Sequence, residues 1–223
     1  MQHTATQHRA HYRDLGLISY QEAWDLQKTT VDAVIAGAAP VLLLCEHPAV
    51  LTLGRLGAEE HILFSRPELA QKGVEVVRID RGGEVTLHSP GQLVIYPIFN
   101  LNYFGKDLRI YMQKLEQVAI DLLHDFGIVA KRIDGRTGVW VGQDKIASIG
   151  VGVRKWVSYH GLAININTDL QLFSLIRPCG LDVQMTSMAR LLNRPAELDL
   201  IKTKIIEHFS REFHLNFTSE EKI

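Results

Sequence analysis

The spacing of apolar and polar residues along the chain follows two periods, and each period predicts its own element. Ser19-Tyr20-Gln21-Glu22 is a capping box that opens a helix to about Ala36, ended by Gly37 and Pro40. Val41 to Cys45 and Leu93 to Phe99 are apolar almost throughout, which suits strands covered on both faces. Val50 to Gly54 is a further strand, Ile62 to Gly73 a loop with a short helix, and Val74 to Ile79 another strand. Asp107 opens a helix on which Leu108, Tyr111, Met112, Leu115, Val118, Ala119, Leu122, Leu123 and Phe126 form one stripe, closed by Gly127. Strands follow at Ile128 to Ile133, Val139 to Val141, Lys145 to Val153 and Ser158 to Ile166. Asn167 to Met185 shows neither period and reads as a long loop. A short helix, Ser187 to Leu192, and an amphipathic one, Glu197 to Phe213, end the pattern. Hairpin-linked strands with a few covering helices predict an α+β fold on a mostly antiparallel sheet. No linker divides the chain, so one domain over residues 1–223 is expected.

Within this pattern the stretch Asp80 to Asn100 concentrates unusual residue types. Arg81-Gly82-Gly83 is a bend, and Glu84, Thr86 and His88 share one face of the following strand while Val85 and Leu87 share the other. Ser89-Pro90-Gly91-Gln92 reads as a turn into the apolar run, which predicts a hairpin with a polar first strand and a core second strand. Paired glycines before a polar strand allow a ligand close to the backbone.

Composition narrows the function classes. With 46% hydrophobic and 22% charged residues the 223-residue chain reads as an ordinary soluble globule. A net charge of −1 and the absence of a basic run argue against nucleic acid as a partner. No apolar run approaches the length of a membrane span, and no signal peptide is visible, so a cytoplasmic location is expected. Two cysteines, Cys45 and Cys179, are too few for a disulfide framework, and neither they nor the ten histidines show a metal-ligand spacing.

The two cysteines differ in context. Cys45 ends the apolar run VLLLC and reads as a packing residue. Cys179 lies between Pro178 and Gly180 in a polar loop, which leaves a nucleophile and a small buried side chain both open. Lys145 begins a strand in phase with Ala147, Ile149, Val151 and Val153, the apolar side, while Ser148, Gly150 and Gly152 leave room on the other. A partly desolvated lysine has a lowered pKa, although a lysine at a sheet edge also snorkels to water. His88 and His160 are weaker candidates for a general base.

Five motifs in order resemble the signature of the lipoyl(octanoyl) transferases, the lipoate-protein ligase B family. They are His47-Pro48 leading to Thr52-Leu53-Gly54-Arg55, Arg81 to Gln92 followed by Tyr96-Pro97, Lys145 to Gly150, His160-Gly161-Leu162-Ala163, and Pro178-Cys179-Gly180. The resemblance implies a fold like the biotin and lipoate ligase catalytic domains. It implies transfer of an octanoyl or lipoyl group from acyl carrier protein to a lysine of lipoyl domains, in 2-oxoacid dehydrogenase E2 subunits and glycine cleavage H protein. Cys179 would carry the acyl thioester and Lys145 would lower its pKa. Arg81, Gly82, Gly83, Glu84, Val85, Thr86, Leu87 and His88, with Ser148, Ile149, Gly150, Gly161, Leu162 and Ala163, would line the acyl site. The glycines Gly150, Gly152 and Gly161 would leave a slot for a linear chain. No cofactor or metal is implied, and a monomer is expected. The rival readings are an ATP-dependent lipoate or biotin ligase on the same fold, a cysteine thioesterase using His88 or His160 as base, and a non-enzymatic module that sequesters an acylated carrier.

Overall fold

The computed structural model describes residues 8–177 and 183–220. The chain opens with strand β1 (His8–Leu17) and helix α1 (Tyr20–Ile35). Ser19 Oγ accepts the Glu22 amide at 3.2 Å and the Glu22 carboxylate accepts the Ser19 amide at 3.3 Å, which is the predicted capping box. Strands β2 (Val41–Glu46) and β3 (Val50–Leu53) follow, then helix α2 (Arg66–Gln71), β4 (Glu75–Arg78), β5 (Val85–His88) and β6 (Gln92–Ile98). Helix α3 (Leu108–Asp125) takes its first-turn cap from the Asp107 carboxylate. Strands β7 (Lys131–Ile133), β8 (Arg136–Val141), β9 (Asp144–Arg154) and β10 (Val157–Asn165) form a meander. Helices α4 (Met188–Leu192) and α5 (Leu198–Phe213) and strand β11 (Leu215–Ser219) complete the described fold.

The strands form two sheets, an eight-stranded one in the order β11-β1-β2-β6-β10-β9-β8-β7 and a three-stranded one in the order β4-β3-β5. Pairing is antiparallel except where β1 meets β2 and β11, and where β3 meets β4. The apolar runs are continuous because the large sheet is covered on both faces. Leu42, Leu44, Leu93 and Ile95 pack beneath α3 and α5, while Leu43, Cys45, Val94 and Tyr96 pack beneath Ala23, Val31 and Val34 of α1. The small sheet has its own core of Leu51, Leu53, Val85, Leu87, Leu69 and Val74, closed by Phe173, Leu175 and Ile176.

Three expectations are corrected. Strands β1 and β11 lie in stretches to which the pattern assigned no element. The predicted hairpin does not form: β5 pairs with β3 in the small sheet, and β6 pairs with β2 and β10 in the large one. A strand buried along its whole length requires a partner on each edge, and β6 finds both away from β5. The loop after β10 also contains a short 3-10 helix, Leu170–Leu175, whose Leu175 and Phe173 fill the small sheet's core.

Cys45 is fully buried in the α1-side core, as its context predicts. Cys45→Ala is expected to lower unfolding free energy by roughly 1 kcal/mol, the scale of a small cavity, in denaturant titration. A loss several times larger would assign Cys45 more than packing.

Candidate functional site

Arg81, on the loop between β4 and β5, is 7% exposed, so its charge must be met by protein acceptors. Its Nη2 donates to Thr52 O at 2.7 Å and to Thr52 Oγ1 at 2.9 Å, and its Nη1 donates to Gly82 O at 2.9 Å. Glycines make room for it. A Cβ on Gly54 would stand 2.9 Å from Nη1, and one on Gly150 would stand 3.0 Å from both Arg81 Cδ and Gly82 O. The Gly82 amide donates to Val151 O at 2.9 Å. Thr52 belongs to the small sheet and Gly150 and Val151 to the large one, so Arg81 joins the two.

Pairing of β9 with β10 sets Ser148 opposite Ala163 and Gly150 opposite Gly161. Small residues therefore lie side by side on the face that meets Arg81. Ile149 and Leu162 face the other way, into the core beneath α3. Thr86 pairs with Thr52 and His88 with Val50, whereas Val85 and Leu87 turn into the small sheet's core. Glu84 uses its carbonyl to accept the Gly54 amide at 2.8 Å and sets its carboxylate 3.1 Å from His61 Nδ1. Gly83 takes a positive φ of 85°. The expected open slot over the glycines is corrected. Arg81 fills the space at Gly150, the Tyr159 ring fills it at Gly152, and the Ile95 carbonyl, 2.4 Å from a would-be Cβ, fills it at Gly161.

A buried aromatic and histidine cluster adjoins Arg81. His88 Nδ1 lies 2.8 Å from Gln92 Oε1, an acceptor, so this nitrogen carries the proton. His47 donates from Nδ1 to Ile18 O and accepts the Tyr96 hydroxyl at Nε2, both at 2.7 Å. Burial is the main cause of their low pKa values, about 3 for His88 and about 4 for His47. His160 is pushed down by burial as well, against the pull of Asp80. All three rings are neutral near pH 7. Asp80 is held down to about 2, chiefly by its hydrogen bond to His160 and then by that from Tyr159. The Cys45 thiol is pushed far up by burial.

Gln92 connects this cluster to Lys145. Its Nε2 donates to Asn165 Oδ1 at 2.9 Å, and Asn165 Nδ2 donates to Thr186 O at 3.0 Å. The Thr186 amide donates to Lys145 O, and the Lys145 amide donates to Gln184 O, each at 2.9 Å. The predicted phase of Lys145 is corrected. Val139 pairs with Ala147 but Trp140 pairs with Lys145, so Ile146 is an extra residue that resets the alternation. The stem of Lys145 runs past Gly138, whose φ is 120° and whose Cβ would meet Lys145 Cε at 2.6 Å. The ammonium stands 5.5 Å from the Trp140 ring centroid.

Cys179, with Pro178 and Gly180, lies outside the described residues. Before that segment the Arg177 amide donates to His61 O at 2.9 Å, and after it residues 184–186 run alongside Lys145. Sequence reasoning did not find Tyr20, Asp80, Tyr159, Asn165 or Trp140 as site components. His47, Gln92 and Tyr96 stood in its motifs without a role.

The description "Lipoyl protein ligase A/B catalytic domain" matches residues 19–210. The chain belongs to this family. An octanoyltransferase of Syntrophotalea carbinolica is 46% identical over 199 residues, covering 88% of this chain and 91% of that protein. Among solved structures, a lipoate-protein ligase A bound with ATP superposes with a TM-score of 0.80 at 15% identity, covering 96% of this chain and 90% of that one. A biotin protein ligase from Aquifex aeolicus gives 0.53 at 12% identity, covering 92% of this chain and 69% of that one. At such identity these structures show the fold, which is the expected α+β ligase catalytic-domain architecture. No helix among the described residues of this family member is long and apolar enough to cross a membrane.

Neutral buried histidines dictate the acid response. His88 and His47 titrate from 6.5 when unfolded but only near 3 and 4 when folded. Their contribution is complete above pH 6.5 and declines as pH falls, because the unfolded chain takes up protons that the folded chain refuses. Unfolding free energy is expected to fall by about 1.2 kcal/mol for each such histidine between pH 6 and 5. Urea titrations at stepped pH check this. His88→Gln should flatten the slope by one histidine's share, and a flat wild-type profile would contradict the burial argument.

Proposed function

We propose that this protein is an acyltransferase that moves an octanoyl group onto a lysine of lipoyl-domain proteins, through an acyl thioester on Cys179 with Lys145 beside it. Membership of the ligase family and likeness to a named octanoyltransferase support the reaction class. The observation that carries the assignment of residues is the pairing of residues 184–186 with Lys145, which returns the chain from the Cys179 segment along the lysine. We take residues 1–223 as one catalytic domain, monomeric, with an acyl carrier protein as donor, acting in the cytoplasm without a cofactor.

The chemistry balances. A thiol of ordinary pKa about 8.5 is only a few per cent thiolate at pH 7, and an adjacent ammonium raises that share. The Cys179 thiolate attacks the donor thioester carbonyl. The new C–S bond forms, the carrier's C–S bond breaks, and the carrier sulfur leaves with a proton supplied by the Lys145 ammonium. The neutral Lys145 amine then accepts a proton from the acceptor lysine as that amine attacks the acyl-enzyme. An amide forms and Cys179 is released. Thioester exchange is nearly balanced and amide formation is downhill, so no nucleotide is needed. Neutral His88 and His47, with the Arg81 framework, keep the surroundings of the site free of competing titration.

Intact mass spectrometry after mixing with octanoyl-carrier protein should show one octanoyl on the wild type and none on Cys179→Ser, with transfer independent of ATP. A requirement for ATP and magnesium would move the protein to the ligase reading. Free octanoate released without an acceptor would move it to a thioesterase. Lys145→Met is expected to fold, to raise the apparent pKa of Cys179 in iodoacetamide alkylation, and to lose acyl transfer by a larger factor than alkylation. An unchanged alkylation profile would remove Lys145 from the dyad.

A further inference from the structure

We propose that Asp80 is a positioning residue, clamped by Tyr159 and His160, that holds the Arg81-Gly82-Gly83 loop against β9 and β10 for binding of the acyl donor. The assignment rests on the octanoyl-transfer reading of the adjoining site.

Neighbouring residues of a regular strand project to opposite faces. Tyr159 and His160 break that rule, and both reach one carboxylate. The Tyr159 hydroxyl donates to Asp80 Oδ2 at 2.7 Å, and His160 Nε2 donates to Oδ1 at 3.1 Å. The cause is the backbone of His160, which has a φ of 53° in the middle of β10. A left-handed, non-glycine residue inside a strand persists only where its surroundings hold it. Helix α1 supplies that hold. Gln27 Oε1 accepts the His160 amide at 2.8 Å, and the Tyr20 hydroxyl lies 3.4 Å from His160 Nδ1. The Tyr159 ring reaches Asp80 by lying on β9 where Gly152 has no side chain: a Cβ there would stand 2.4 Å from Tyr159 Cζ. A strained histidine, held by a buried glutamine, and a tyrosine laid over Gly152 thus converge on a carboxylate that is itself 53% exposed. An exposed acid is not needed for the core. Its position immediately before Arg81 makes it the tether of the loop whose Gly82 amide bonds Val151.

The test compares Asp80→Ala, Asp80→Asn and Tyr159→Phe in the full chain. Hydrogen exchange over residues 79–84 reads the clamp without any substrate. Protection should fall in Asp80→Ala and largely return in Asp80→Asn, whose amide oxygen still accepts from His160. In steady-state kinetics Asp80→Ala should raise KM for the octanoyl donor about ten-fold with kcat within about two-fold, and Asp80→Asn should recover most of that. The Asp80→Ala/Tyr159→Phe double variant should be no worse than Asp80→Ala, because both remove one contact. Wild-type exchange and wild-type KM in Asp80→Ala overturn the clamp. Equal losses in kcat and melting temperature that Asp80→Asn does not recover also overturn it. Exchange that responds as expected in a protein without octanoyl transfer leaves the clamp standing and removes the function reading instead.

Discussion

A guanidinium withdrawn from water fixes how the two sheets meet. Burying an unpaired charge is prohibitive, so Arg81 is stable only where acceptors surround it. Thr52 provides a carbonyl and a hydroxyl from the small sheet, and the loop itself provides Gly82 O. That arrangement demands bare backbone on both sides. Gly54 and Gly150 lie so close to Arg81 that a side chain at either would displace it. Gly54 and Gly150 thus serve close packing around one charged side chain.

A second constraint follows from the same burial. Tyr20, His47, His88 and Tyr96 pack ring against ring, and each polar atom must be satisfied inside the protein. His47 solves this with the Ile18 carbonyl on one nitrogen and the Tyr96 hydroxyl on the other. His88 uses Gln92, whose remaining amide hydrogens reach Leu87 O and Asn165. Satisfied networks of this kind fix tautomers and rotamers together. The chain of bonds runs on through Asn165 to Thr186 and so to the backbone of Lys145. Placement of the lysine backbone is therefore coupled to a core network.

Much of the fold was legible because it rests on local rules. The Ser19 to Glu22 capping box, the α3 stripe and the fully apolar β2 and β6 each declare themselves within a few residues. Strand β1 (HRAHYRDLGL) did not, because Ala10 alone is fully buried among its described side chains and the charged residues between mask the period. Strand β11 is a five-residue edge, too short for a pattern. The partners of β5 and β6 were illegible because a turn sequence says that the chain bends, not which sheet each arm joins. The polar face of Thr86 and His88 could be read by alternation. The bulge at Ile146 could not, and it turned Lys145 from the core side toward Trp140. Asp80, Tyr159 and Tyr20 escaped notice because their contacts, Asp80 with Tyr159 and His160 and Tyr20 with His160, span some 80 to 140 residues of sequence around a left-handed His160.

The neutrality of the histidines bears on the proposed chemistry. A thiol is ionised by a nearby ammonium in proportion to the attraction between them, and that attraction grows as the local dielectric falls. A protonated histidine nearby would also favour the thiolate, but it would disfavour the charge on Lys145 and on Arg81. It would then be lost or gained within the physiological range, where an unperturbed imidazole titrates. Burial removes that variable by keeping His47, His88 and His160 uncharged. Cations among the described residues here include Arg81, locked between sheets as a structural element, and Lys145, seated over Gly138 with its ammonium near Trp140. Arg81 cannot give up its proton under any ordinary condition. The proposed reaction therefore assigns proton exchange with an incoming thiol or amine to Lys145, whose backbone the core network holds.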